Sequence, residues 1–190
     1  MMKKSLIIAA TFALAAACTP EKDAFQLALE NAIAEKYGEG TKVRIEICER
    51  VDSTTFGQEL EYRQKVFDLR LAQNQKLLVK YRDQGKPNAA QMKREAILHD
   101  NEVIEGLARM HDELGAKLDE IAYYDYRFSG RVTLNGSSKE LKDYYATVTP
   151  EGEVMNFDAH QKYLHKPMGH IIPGYVELVK GEDAEESVEQ

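Results

Sequence analysis

Three histidines recur at intervals of five, His160, His165 and His170, beside Asp158, and form the chain's densest imidazole group. Imidazole and carboxylate side chains are the usual ligands of zinc and copper. A step of five aligns side chains on neither a helix nor a strand, and Pro167 and Gly169 interrupt the span. The spacing therefore argues against a ready-made metal site, and no cofactor is expected. Glu95, His99 and Glu102 share a helical face, as ligands on bundles do, but that face turns away from the apolar stripe of its helix and reads as exposed, ion-paired surface. No G-x-S-x-G, H-E-x-x-H, C-x-x-C or phosphate-cradling glycine loop is present. Catalysis is not expected on these grounds, although distant residues can still assemble a site.

Polar residues also interrupt two apolar helical stripes, at Arg63, Arg70 and Asn74 and again at Asp100 and His111. If these helices form an antiparallel hairpin turning near Gly85, Asn74 comes level with Asp100, Arg63 comes near His111, and Arg70 lies one turn from Asn74. Buried charge demands partners, so the set reads first as a satisfied contact fixing the register of the hairpin, and second as a polar pocket between the helices. A third group is aromatic: Tyr123, Tyr124, Tyr126, Phe128, Tyr144 and Tyr145, with Arg127 and Arg131 among them. Adjacent strand residues face opposite ways, so some of these tyrosines must leave the core, and a protein or glycan could be recognised there. Cross-strand aromatic pairing accounts for most of the same residues without a ligand.

The elements that must position these groups are legible in the hydropathy pattern. Phe25, Leu29, Ala32, Ile33 and Tyr37 recur at helical spacing, with Asp23 as a cap and Gly38 and Gly40 as the stop. Val43, Ile45 and Ile47 alternate with Lys42, Arg44, Glu46 and Cys48, which predicts a strand over 42–51 with one buried face. Ser53, Thr54 and Thr55 offer caps to a long helix with Phe56, Leu60, Phe67, Leu71, Leu78 and Tyr81 along one stripe. After a turn over Asp83 to Pro87, Ala96, Val103, Leu107, Met110, Leu114, Leu118 and Ile121 form the matching stripe. A second stripe on the first helix (Tyr62, Val66, Leu69, Leu77) calls for another surface, most simply the sheet. The period then returns to two over 122–134. A turn at Asn135-Gly136, in a loop running through Ser138, leads to strands over 141–149 and 153–157. Tyr175 to Val179 reads as a last strand or a docked extended segment.

Short connections favour adjacency, so the hairpin should return the chain beside the strand it left. The expected fold class is α+β: an N-terminal helix on an antiparallel β-meander, with a long helical hairpin inserted between the first and second strands. A mainly helical body with a small hairpin sheet is the alternative. The order over residues 23 to 158 resembles cystatin-like and NTF2-like folds in topology alone; no motif carries a family's function across.

The N-terminus carries the most specific signal. Lys3 and Lys4 precede an apolar run from Ser5 to Leu14, and Leu14-Ala15-Ala16-Ala17-Cys18 closes it. The run is too short to span a bilayer and has the layout of a secretory signal peptide. The small residues ending on a cysteine resemble the lipobox of bacterial lipoproteins, with Ala15 where that pattern most often has leucine. The resemblance implies a signal peptide over 1–17 and a lipid, palmitate among its chains, on Cys18. A tether over 18–22 would then lead to a single domain over 23–180 and an acidic disordered tail over 181–190. It places the protein in the cell envelope, on the outer rather than the inner membrane, facing the periplasm or the cell surface.

Without Lys3 and Lys4 the chain has 23 Lys and Arg against 32 Asp and Glu, a net of −9, and five of the acids sit in the tail. A mildly acidic body without a basic block argues against nucleic acid. Cys48 would be left as the single remaining cysteine, a strand residue, so no internal disulfide is expected. The reading that follows is a lipoprotein whose membrane contact is the lipid on Cys18, and which binds an envelope protein or glycan. A ligand-binding or enzymatic pocket between helix and sheet, of the NTF2-like kind, and a self-associating structural lipoprotein are the alternatives.

Overall fold

The computed structural model describes residues 24–181 of the 190-residue chain. Helix α1 (Ala24–Tyr37) leads into strand β1 (Lys42–Thr55), and helices α2 (Phe56–Asp83) and α3 (Pro87–Leu114) form a hairpin. A 3-10 turn over Gly115–Asp119 returns the chain to β2 (Ile121–Leu134), followed by β3 (Ser137–Val148) and β4 (Val154–Asp158). The sheet is antiparallel in the order β1-β2-β3-β4. The fold is thus α+β, with the helical hairpin between the first two strands. The stretches expected as signal peptide and tether, with Cys18 and the expected Asp23 cap, and residues 182–190 lie outside the described residues.

No loop separates β1 from α2. Thr55 closes the strand opposite Ile121 and caps the helix. Its hydroxyl accepts from the Gln58 amide at 3.2 Å, and the Gln58 side chain accepts from the Thr55 amide at 2.9 Å, a capping box that satisfies two otherwise open donors. The Phe56 amide donates to the Glu120 carbonyl at 3.1 Å, so both ends of the hairpin are tied at one point.

Helix α1 covers one face of the sheet. Leu29 and Ile33 meet Ile45, Phe128, Val132, Leu141, Ala146 and Phe157, and this packing fills the space between helix and sheet. Each fully buried side chain of this size contributes about 1.5–3 kcal/mol. Helix α1 also guards the open edge of β1, where Glu30 accepts from the Ile45 amide at 2.9 Å and Gln26 donates to the Ile45 carbonyl at 2.8 Å.

Several expectations are corrected. The register of β1 slips between Ile45 and Ile47, which turns Ile47 outward at 61 % exposure and brings Cys48 against the core. A bulge inverts a period-two pattern in this way. β1 runs on to Thr55 rather than stopping at 51. Asn135 and Gly136 make a tight two-residue turn with φ of 51° and 80°, both positive as that hairpin type requires, so β3 starts at once. Tyr175–Lys180 is a short helix, α4, not a strand. The second stripe of α2 does not rest on the sheet: Tyr62, Val66 and Leu69 are 46 %, 40 % and 65 % exposed. The hairpin meets the sheet through its first turn, where Phe56 packs beside Ala122 and Tyr123.

The segment 159–180 folds back between the sheet's other face and the base of the hairpin. Ile172 joins Leu60, Phe67, Val103 and Leu107, and Met168 joins Ala122 and Tyr123. Leu178 sits on Gly106 of α3, where a Cβ would come within 2.3 Å of its side chain.

Backbone crowding is tightest at Gly130 in β2, where a Cβ would lie 2.3 Å from the Arg44 carbonyl oxygen and 2.9 Å from the Ile45 Cα. Neither is a flexible atom. Gly130→Ala should therefore cost about 2 kcal/mol or more in urea unfolding, within the range of overpacking, by forcing β1 and β2 apart at the bulge.

Candidate functional site

The densest polar cluster lies where α2, the sheet and the C-terminal segment meet. Glu59, one turn into α2, is 1 % exposed. It accepts from Arg63 Nε at 2.6 Å through one oxygen and from the Tyr123 hydroxyl at 2.7 Å through the other. Arg63, 6 % exposed, also donates to the His165 and Lys166 carbonyls at 2.6 and 3.2 Å. A polar row crosses three strands alongside, because Asp125 pairs in register with Thr147, and Thr147 with Asn156. Asp125 is fully buried; it meets His165 Nε2 at 2.6 Å and accepts from the Thr147 hydroxyl at 3.3 Å. Asn156 donates to the Leu164 carbonyl at 3.1 Å. Arg63, Asp125 and Asn156 thus pin the C-terminal segment to the hairpin and the sheet.

The hydrogen bond with Asp125 raises the pKa of His165 above its ordinary value, against the opposing effect of burial; Glu59 adds to the rise and Arg63 subtracts from it. Burial, then the hydrogen bond to Glu59, pushes the Tyr123 phenol far up, so it stays a donor. Burial likewise raises Tyr175, whose ring lies 5.7 Å from the Arg63 guanidinium. An aspartate holding one ring nitrogen of a histidine is the orienting half of a general base. No serine or threonine hydroxyl hydrogen-bonds His165 among the described residues, and its 33 % exposed side chain lines neither the groove beside Asp100 nor the one beside His111. What this arrangement does chemically is hold a charge pair.

A second polar contact lies within the hairpin. Asp100, fully buried, accepts from Asn74 Nδ2 at 2.9 Å and from Arg70 Nε at 2.5 Å, and Lys93 donates to Asn74 Oδ1 at 3.0 Å. An open groove of about 460 Å³ runs beside it, lined by Arg70, Gln73, Asn74, Leu77, Lys93 and His99. Asn74, Arg70 and Asp100 are together, as the hairpin's geometry requires. Arg63 and His111 are not: Arg63 turns to Glu59 and the C-terminal segment, while the His111 side chain is 56 % exposed, 3.8 Å from Asp112.

The tyrosines divide between the two faces. Tyr123 faces Glu59, and Tyr126 and Tyr124 pack on Phe25 of α1 with ring centroids 5.4 and 6.4 Å apart. Tyr144 packs on Phe128, and Tyr145 is half-buried. Arg127 pairs with Glu49 across the strands, and Arg131 is exposed. Tyr145 pairs in register with Arg127, so of the tyrosines it stands nearest the exposed arginines. The three histidines diverge as well. His160 stacks near Tyr163, His165 joins Asp125, and His170 Nδ1 contacts the Pro167 carbonyl. No group of three or more histidine, cysteine or acidic side chains among the described residues is arranged to hold a metal. Glu95 accepts from Gln91 at 2.9 Å, and His99 lines the groove apart from it.

Sequence reading missed Glu59, Asp125 and Lys93. Glu59 could have been found from its i, i+4 spacing to Arg63, since a buried arginine one turn from a glutamate implies a pair. Asp125 had no such signal, because strand alternation assigns it to solvent. No family model, no curated protein and no solved structure matches the chain.

Three outcomes test these clusters. Glu59→Gln should cost about 3 kcal/mol in urea unfolding, because it strands Arg63, 7 % exposed in its side chain. Asp100→Asn should cost less, because Arg70, 43 % exposed, can hydrate instead. The His165 pair should also make stability fall with rising pH. Since its folded-state pKa is raised, its contribution is fully present below the ordinary value near 6.5 and is lost as pH climbs through the raised value. The stability difference between the wild type and His165→Gln should be largest at about pH 5.5 and smallest at about pH 9.

Proposed function

We propose that this chain is a lipid-anchored, non-catalytic binding module of the bacterial envelope, held in the outer membrane through Cys18 and engaging another envelope protein through its helical hairpin. The observation that carries the reading is the outward stripe on α2. Tyr62, Val66 and Leu69 recur at i, i+4 and i+7 on one face, and that face has no cover among the described residues. Large apolar side chains aligned on a rigid helix are a surface for a groove on a partner. Two further features support the reading. The buried polar clusters are consumed in holding the fold together, and most of the tyrosines pack internally, which moves the contact from the sheet to the hairpin. The space between α1 and the sheet, where an NTF2-like pocket would lie, is filled by Leu29, Ile33, Phe128 and Leu141.

Anchor and contact are separately testable in growing bacterial cells. The wild type should take up an alkynyl palmitate label and fractionate with outer membranes, while Cys18→Ser should do neither; a Cys18→Ser chain that kept the label would defeat the anchor. A photo-crosslinker at Val66 should trap one envelope protein, and Leu69→Asp should abolish the product. Trapping only a second copy of the chain would replace the partner with self-association.

A further inference from the structure

Charge on this protein is sorted along its length. Between Asn74 and Asp100, the outer part of the hairpin, the chain carries Lys76, Lys80, Arg82, Lys86, Lys93 and Arg94 against Asp83 and Glu95, a net of +4 in a chain of net −7. Five of the six cations are exposed, and none of the six forms an ion pair with a described residue. Lys93 is spent on Asn74, Arg94 donates to Gln91, and Lys86 lies over the Tyr81 ring. Apolar side chains stand out among them: Val79 is 51 % exposed and Met92 68 %. Unpaired like charges repel one another, and the acids that balance them lie outside this stretch, in the rest of the hairpin, where eight Asp and Glu stand against four Lys and Arg.

We infer that the tip of the hairpin docks on an anionic lipid bilayer. The occupant follows from what is interleaved there. Long cationic side chains fanned around the end of a helical pair read a plane of negative charge. Val79 and Met92 between them can enter the headgroup layer while the lysine and arginine stems let their charges stay in water. An acidic protein partner would instead be met by a shaped pocket with anchoring aromatics, whereas the groove beside Asp100 is open and rimmed by Arg70, Gln73 and His99. The inference rests on charge placement and stands whether or not Cys18 is lipidated.

The test uses the full chain bearing Cys18→Ser, so that no lipid anchor contributes, sedimented with vesicles of phosphatidylcholine alone or with about a third phosphatidylglycerol. One variant combines Lys80→Gln, Arg82→Gln, Lys86→Gln and Arg94→Gln; a control removes as many exposed cations elsewhere through Arg44→Gln, Arg109→Gln, Arg131→Gln and Lys142→Gln. Circular dichroism checks that each keeps its helices. The expected result is at least about tenfold stronger partitioning onto the anionic vesicles, weakening with salt, kept by the control and lost by the tip variant. Equal partitioning onto both vesicles, or equal loss in both variants, would overturn the inference. Tighter binding to soluble polyphosphate than to the vesicles would overturn it too, by moving the partner from a bilayer to a polyanion.

Discussion

A carboxylate keeps its charge inside a protein only if its oxygens are met by donors, and much of this structure follows from meeting that condition at Asp125 and Glu59. Asp125 stands on the face of the sheet that α1 leaves open, and His165 closes over it. Glu59 opens α2, and Arg63 and Tyr123 close over it. Through Arg63 and His165 both carboxylates reach the same few residues of the C-terminal segment. Once that segment is drawn down, its apolar residues fall into place: Met168 on Tyr123, Ile172 in the base of the hairpin, Leu178 on Gly106. The second layer of the fold is therefore organised by charge compensation, and the hydrophobic contacts complete it.

What could be read from the chain, and what could not, divides along the range of the interactions. Thr55 and Gln58 are three apart, so their cap is visible as a local pattern. Asn74 and Asp100 are 26 apart, but a hairpin with a known turn converts that separation into height, and the pair becomes legible. Asp125 and His165 are 40 apart, with β3, β4 and an irregular segment between them, so no single element converts that separation into a distance. Alternation along β2 assigns Asp125 to water, because a period of two reports which face a residue is on and not whether that face is covered. The same limit explains Ile47, whose side follows from a bulge that leaves no mark in hydropathy. It explains the second stripe of α2 as well: an apolar face announces that it wants cover, not that the same chain supplies it.

The two ends of the molecule are built on opposite principles. At the base, each buried charge has a partner and the C-terminal segment seals the contact. Towards the tip, the cations beyond the Asn74–Asp100 contact lack acidic partners, and Val79 and Met92 face outward. Such a division keeps the demands of folding and of association apart, so that the surface at the tip can vary in sequence without disturbing the base.

The junction at Thr55 and Phe56 has a consequence for the time course of folding. Pairing β1 with β2 closes a loop of 65 residues, 56–120, and a flexible loop of that size would cost roughly 4 kcal/mol of chain entropy beyond a constant. A helical hairpin forms through contacts local in sequence and holds its own ends about 8–10 Å apart. With no slack between strand and helix, those ends deliver Thr55 opposite Ile121 already in register. The long insertion thus acts as a template for the sheet: the most distant strand pairing in the chain becomes, kinetically, a neighbouring one.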